Sequence, residues 1–312
     1  MPIMVEAGLR LGLAYARNQH GIRAKRPVTR FVRRTAQFLA AGRRSQFIDA
    51  EMSGLCVTLP TADKTIARSV YAAGDWDPLL VGTVFEALEA VGHRYRGTTF
   101  LEIGANFGVY SLPAVAEFGF ARSVAYEPDP ASYELLRVNI ERNGMSDRVS
   151  AYGAALSAEA GELTLSLGVN NAGDNRIIVG ETGNGRTTVR VPARTFDEDV
   201  AAGRIPIADL GLVWLDVQGH EGDVLAGASR LLSSDVPIVL EYSTNLMSES
   251  ARDRLDTLIA DNFDAFVDLG WSSLTNHVRL QPASFIGRLA PRRRNLETDL
   301  LLLHMKDGAI AG

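Results

Sequence analysis

Residues 99–112 read TFLEIGANFGVYSL: an apolar run ends in Glu102, and Gly104, Asn106 and Gly108 follow before an apolar helical pattern begins. In an open parallel sheet, ligands sit outside the carboxyl ends of the strands, where this turn would lie. Gly104 lets the backbone approach a ligand with no Cβ in the way, and Gly108 lets the next helix start close to the strand. A dinucleotide fingerprint, G-x-G-x-x-G, is broken at Asn106, and the Gly-Lys-Ser/Thr of a phosphate loop is absent. What remains is acid-x-Gly-x-x-x-Gly, and a carboxylate there suits an ammonium group better than a pyrophosphate. The next strand-like run, SVAYEPDP, ends in Glu127, which is placed to accept both hydroxyls of a ribose. A ligand with a ribose and an amino-acid end fits S-adenosylmethionine. The competing reading makes Glu102 and Glu127 simple helix caps.

A second set of reactive groups lies downstream. Asp216 ends one apolar run, His220 follows in the turn, and Glu241 lies near the end of the next run. If a hydroxyl is to be alkylated, a general base helps. His220 is the first choice because imidazole titrates near neutral pH; the plainer alternative is an exposed turn histidine. Asp216 either positions donor or acceptor or caps the helix that starts near Glu221. Glu241 is a second positioning carboxylate. The spacing of Asp216, His220, Glu221 and Glu241 matches no metal motif, so no metal is expected.

These groups need a sheet to hold them. Strands are expected at 98–103, 123–127, 148–155, 211–217, 236–242, 264–269 and 299–305, with helices between them at 107–118, 131–143, 221–232 and 250–262. Such alternation specifies a parallel sheet with helices on both faces. Asp77 and Pro78 read as the N-cap and first residue of an earlier helix, and LCVTLP as one strand of a small hairpin. Between the third and fourth core strands, GELTLSLG and RTTVRVPART alternate with period two around Gly/Asn-rich stretches, the pattern of a β-hairpin insert at about 160–195. The loop from Gly168 to Gly185 is either a lid over the acceptor or an exposed hairpin tip. The divisions are a helical arm at 1–50, a linking segment and helix at 51–97, and the main domain at 98–312.

Charge is uneven. Residues 1–50 hold ten Lys or Arg against Glu6 and Asp49, a net +8, while the chain as a whole is −5 and the remainder therefore −13. Such an arm could lie on an anionic membrane or touch nucleic acid, or pack as a solvated helix pair on the acidic body. Glu6 and Arg10 interrupt the apolar stretch too early for a signal peptide; the Arg-rich, acid-poor composition is compatible with a transit peptide. The single cysteine, Cys56, excludes an intramolecular disulfide, and a reducing, cytoplasmic setting is expected, with peripheral membrane contact as an extension. The Arg292–Arg294 run could bind an anionic acceptor or form a solvated turn. Nucleic acid is not the expected partner, since no Asn/Asp-Pro-Pro-aromatic signature is present. The sequence does not set an oligomeric state.

Five ordered blocks, FLEIGANFGVYSL, AYEPDPASYELLRVNIERNG, YGAALSAEAGELTL, LDVQGHEGDVLAGA and IVLEYS, resemble the FkbM-type family of S-adenosylmethionine-dependent methyltransferases over about residues 98–245. The resemblance implies a class I methyltransferase fold, Rossmann-like, with a seven-stranded sheet whose last strand is antiparallel. It also implies methylation of a hydroxyl oxygen, often on a sugar or secondary metabolite. Carried over, Glu102, Gly104, Asn106 and Gly108 would hold the methionine end, Glu127 the ribose, and Pro128 with Asp129 the adjacent turn. Ala154, Ala155 and Leu156 would line the adenine, with only Ser157 and backbone groups for polar contacts. The family's fourth-strand segment commonly reads Lys-Ile-Asp-Val-Glu-Gly-x-Glu. Here Trp214 replaces the lysine and Gln218 the first glutamate, while Asp216 and Glu221 stay. A cation and a carboxylate lost together could be two halves of one ion pair. That departure supports the alternative reading, a non-catalytic or altered S-adenosylmethionine-binding module with the same fold.

Overall fold

The computed structural model describes residues 28–178, 185–275, 277–289 and 296–305. Residues 1–27 of the basic arm, the Arg292–Arg294 run and the 179–184 part of the Gly168–Gly185 loop lie outside these.

Helix α1 (Val28–Ala41) leads into a hairpin of β1 (Phe47–Met52) and β2 (Leu55–Pro60), then helices α2 (Ile66–Ala73) and α3 (Pro78–Ala90). Alternation follows: β3 (Thr99–Ile103), α4 (Ser111–Ala116), β4 (Arg122–Tyr126), α5 (Pro130–Arg142) and β5 (Val149–Tyr152). A smaller sheet contains β6 (Ala155–Leu156), β7 (Gly161–Ser166), β8 (Arg176–Ile178) and β9 (Thr188–Arg194). The chain then returns through α6 (Phe196–Ala201), β10 (Leu210–Leu215), α7 (Glu221–Ala226), α8 (Ser229–Leu232) and β11 (Ile238–Ser243). It closes with α9 (Glu249–Asn262), β12 (Ala265–Asp268), α10 (Leu269–Thr275), β13 (Leu280–Pro282) and β14 (Glu297–Leu303). No helix among the described residues is long and apolar enough to cross a membrane.

The main sheet runs β13-β12-β14-β11-β10-β3-β4-β5. Strands β3, β4, β5, β10 and β11 are parallel, and β14 runs antiparallel between β11 and β12. The sheet therefore has eight strands, not the expected seven. The extra one is β13, paired antiparallel on the outer edge of β12 with Val267 opposite Leu280. Three residues ending in proline carry no period-two signal, and proline is tolerated because this is an edge.

Every residue of β3 and β10 is buried, which is why these runs are mainly apolar rather than alternating, with Thr99 and Glu102 the buried polar exceptions in β3. Phe100, Leu212, Trp214 and Val239 enter one apolar layer, and Leu101, Ile103, Val213, Leu215 and Leu240 the other. The strand order reverses between β3 and β10, so a crevice opens at their carboxyl ends. Gly104 follows β3 with φ +94°, and a Cβ there would sit 1.9 Å from the Asp216 carbonyl oxygen. The glycine is thus required by the close approach of β10 itself. The helix expected at 221–232 breaks into α7 and α8 at Gly227, where a Cβ would meet the Ser157 carbonyl oxygen at 2.1 Å.

Asp77 caps α3 through a bond from the Leu80 N–H, with Pro78 at the first helical position. The N-terminal hairpin is tied to the sheet domain by two asparagines one turn apart on α5. Asn139 accepts from the Thr58 N–H at 2.7 Å and donates to the Thr58 carbonyl at 3.2 Å and the Phe107 carbonyl at 3.0 Å. Asn143 accepts from the Cys56 N–H at 3.0 Å and donates to the Cys56 carbonyl at 2.9 Å. The two side-chain amides thus act as a substitute strand for the open edge of β2, and Asn139 also holds the glycine loop.

Asn139 is fully buried, so Asn139→Leu leaves three backbone groups unpaired. At about 1 kcal/mol per bond the expected loss is about 3 kcal/mol in urea unfolding, against about 1 kcal/mol or less for Asn143→Leu. Equal, small losses for the two variants would remove the strand-substitute role.

Candidate active site

The crevice is a cleft of about 760 Å³, its mouth included. Its floor comes from the loops after β3, β4 and β10, one wall from Ala154, Ala155 and Leu156, and its roof from Ile66, Trp76, Leu165, Gly173 and Ile177. The roof is stitched together: Asp63 accepts from the Ala172 N–H at 2.8 Å, and the Lys64 N–H donates to the Asn170 carbonyl at 2.7 Å.

The loop after β3 is hung from β4. The Gly104 and Ala105 N–H groups both donate to the Tyr126 carbonyl at 2.9 Å. Glu127 then accepts from the Asn106 N–H at 2.7 Å and the Asp129 N–H at 2.8 Å, joining the loop to the turn where Asp129 caps α5. Burial pushes the Glu127 carboxyl up to about 8, against the pull of those two bonds. Asn106 lies at φ 50°, unusual outside glycine and frequent at functional sites. Its Oδ1 is buried with no partner.

Glu102, Gly104, Asn106, Gly108, Glu127, Pro128, Ala155 and Asp216 do not all face the cleft. Gly104, Asn106, Glu127, Pro128, Ala155 and Asp216 line it. Glu102 and Gly108 are not among the lining residues. Glu102 is buried, and one of its oxygens accepts from the Ser111 N–H at 2.7 Å and from the Ser111 hydroxyl. It therefore holds the start of α4, which begins at Ser111 rather than at 107. Burial raises its carboxyl to about 8, and its second oxygen has no partner. Gly108 makes room for Leu136 and Leu112.

On the β10 side, Gln218 donates from one amide nitrogen to Asp216 at 2.9 Å and to Glu241 at 2.7 Å. Gln218 thus brings the two carboxyls onto one amide nitrogen. Burial and then the neighbouring charges of Asp216, Glu221 and Asp299 push Glu241 far above the carboxylate range, while burial raises Asp216 too. Both carboxyls are thereby held toward their protonated forms. Gln218 achieves its bridge at φ 55°, a second left-handed non-glycine in the cleft. Glu221 sits beneath, buried, accepting from the Val217 and Gly219 N–H groups at 3.1 Å.

His220 lines the cleft on the Ala155 side and has both ring nitrogens engaged. Nε2 lies 3.0 Å from the Ser157 hydroxyl and Nδ1 3.2 Å from Asp223. Neither Ser157 nor Asp223 carried a sequence signal for this pairing; the helix break at Gly227, which the sequence reading runs through, brings Ser157 close. Trp214 stacks on Tyr110 with ring centroids 4.1 Å apart, while Gln218 turns to the carboxyls. The two departures from the family pattern thus have separate partners. No group of three or more His, Cys, Asp or Glu among the described residues could hold a metal ion.

Comparison with known proteins places this geometry. Residues 102–269 match the family described as the methyltransferase FkbM domain. The chain is 32% identical over 78 residues to the methyltransferase sdnD of Sordaria araneosa, a match covering 25% of this chain and 30% of that protein. Among solved structures, methyltransferase FkbM from Methylobacillus flagellatus is 15% identical with TM-score 0.37, covering 73% of this chain and 56% of that one. TYW2 of Pyrococcus horikoshii, in complex with MeSAdo, is 15% identical with TM-score 0.39, covering 83% and 72%. With more than half of its length matched by the family's domain, the chain belongs to the FkbM methyltransferase family.

Proposed function

We propose that this chain transfers a methyl group from S-adenosylmethionine to a hydroxyl oxygen of a small-molecule, sugar or glycan-like acceptor. The observation that carries the reading is the convergence of Glu127, the unpartnered Asn106 Oδ1, Asp216 and Gln218 in one cleft, with Glu241 behind them bonded to Gln218. The cofactor, when bound, supplies an electrophilic methyl carbon.

The residues fit that nucleoside. Asn106 Oδ1 is a buried acceptor that an ammonium N–H would satisfy. Each Glu127 oxygen is engaged by one backbone N–H, which leaves lone pairs for ribose hydroxyls. Ala154, Ala155 and Leu156 give an apolar wall for adenine. On the acceptor side, Trp76 and Tyr110 line the cleft, and no Lys or Arg stands among its described lining residues. An uncharged polyhydroxyl ring suits such a wall better than an anion.

Asp216 is the base in this reading. It would take the hydroxyl proton as the oxygen–carbon bond forms and the donor's methyl carbon–sulfur bond breaks, with the neighbouring Glu241 held toward its protonated form. Gln218 orients both carboxyls. His220 is left to the Ala155 side, since each of its ring nitrogens already has a partner. The roof residues Ile66, Trp76, Leu165 and Ile177 keep water out, and orientation inside the closed cleft lowers the barrier. The second reading, a binding module without turnover, rests on Trp214 and Gln218, which replace the lysine and glutamate of the resemblance.

Titration of S-adenosylhomocysteine into wild type and Glu127→Ala tests the cofactor assignment. Loss of the hydrogen bonds to the ribose predicts about tenfold weaker binding, and unchanged affinity would remove the ribose role. Turnover is followed as S-adenosylhomocysteine release over panels of sugars and small alcohols. Asp216→Asn is expected to cost about 10²–10⁴ in kcat with affinity for S-adenosylhomocysteine retained. Because Asp216 is raised by burial, its base form grows as pH rises, and wild-type kcat should increase with pH through a value above the ordinary carboxylate range. Tight cofactor binding with no release over any acceptor would favour the binding module.

A further inference from the structure

Helix α1 is anchored by one face. Phe38 is buried against Tyr71 of α2, ring centroids 5.6 Å apart. Arg34 donates to the Tyr71 carbonyl at 2.6 Å and lies over its ring at 4.4 Å. At 3.6 residues per turn, the opposite side presents Val32, Ala36, Leu39 and Ala40. Val32 is 60% exposed and Leu39 43%, with Phe31 and Phe47 also exposed near the two ends. Arg33 flanks this side, and Arg43 with Arg44 follow in the turn that ends the helix. Among the described residues, these three arginines have no carboxylate partner.

We propose that this outer side of α1 docks on the anionic lipids of a membrane surface. Apolar side chains interleaved with unpaired arginines are the composition of a helix lying in the headgroup layer. The charge distribution sets the orientation: residues 1–50 carry +8 and the rest of the chain −13, so an anionic surface attracts this side and repels the body. A nucleic acid would use the arginines and leave Val32 and Leu39 in water. A twofold contact with a second copy would oppose the same cations. Docking would also hold the cleft near the lipid: α1 packs on α2, and Ile66 at the start of α2 lines the roof.

The test is co-sedimentation of the full chain with phosphatidylcholine vesicles, with and without phosphatidylserine. Wild type is expected on the anionic vesicles only, and to be released by salt. Each arginine near such a surface is worth about fivefold in partitioning, so Arg33→Ala/Arg43→Ala/Arg44→Ala should lower it on the order of a hundredfold. Val32→Ser/Leu39→Ser should lower it at least about tenfold. Circular dichroism and thermal unfolding, unchanged in both variants, separate lost docking from lost folding. Partitioning of the triple-arginine variant equal to wild type would overturn the proposal. So would binding of a single-stranded RNA without vesicle binding, or a change of oligomeric mass in Val32→Ser/Leu39→Ser with lipid partitioning untouched.

Discussion

The cleft depends on a buried carboxylate, Glu127, held between two backbone N–H groups. One belongs to the loop after β3 and the other to the turn after β4. Without that bridge the two loops would be joined only through the Tyr126 carbonyl, and neither would have a fixed height above the sheet. The bridge has an electrostatic cost. Glu127, Glu102, Glu221 and the Asp216–Glu241 pair are all withdrawn from water, and burial raises each of them. Among the described lining residues there is no cation to balance them. A site built this way is short of donors and positive charge, and a ligand carrying an ammonium, a sulfonium and ribose hydroxyls supplies both.

Sequence reasoning located the sheet because its central strands are buried on both faces and therefore mainly apolar. The same property placed Glu102, Glu127, Asp216 and Glu241 at strand ends without any knowledge of pairing. It could not tell which of them turn into the crevice. Glu102 lies inside β3, level with Ala125 of β4, and bonds to Ser111, whereas Glu127 comes just after β4 and lines the cleft. A shift of one or two residues in where each strand ends, which the apolar pattern does not fix, decides between the two. Strand β13 was invisible because three half-buried residues have no periodicity to read.

The contacts that escaped sequence reading are mostly side chains standing in for backbone. Asn139 and Asn143 resemble an ordinary polar side of a helix until β2 is laid beside them. The segment RVNIERNG gives no hint that two of its amides will pair with a strand some eighty residues earlier. Ser157 is similar: the sequence suggests it only as a polar group near the adenine, whereas the Gly227 break packs it against the helix that begins after His220, where it meets the imidazole. Gly104 had been assigned to ligand approach, whereas the strand beside it already requires a residue with no Cβ.

Trp214 and Gln218 illustrate how a site can tolerate the loss of two charges. Had they been halves of one ion pair, replacing both would leave a neutral gap between them. Instead Trp214 is taken up by Tyr110 in the apolar layer, and Gln218 bridges two carboxyls. A glutamate at 218 would set a third carboxylate against Asp216 and Glu241 and call for a nearby cation. The amide removes that need: its nitrogen donates to both acids, and burial raises both carboxyls. The neutral side chain at 218 therefore ties Asp216 to Glu241 without adding a charge to the cleft.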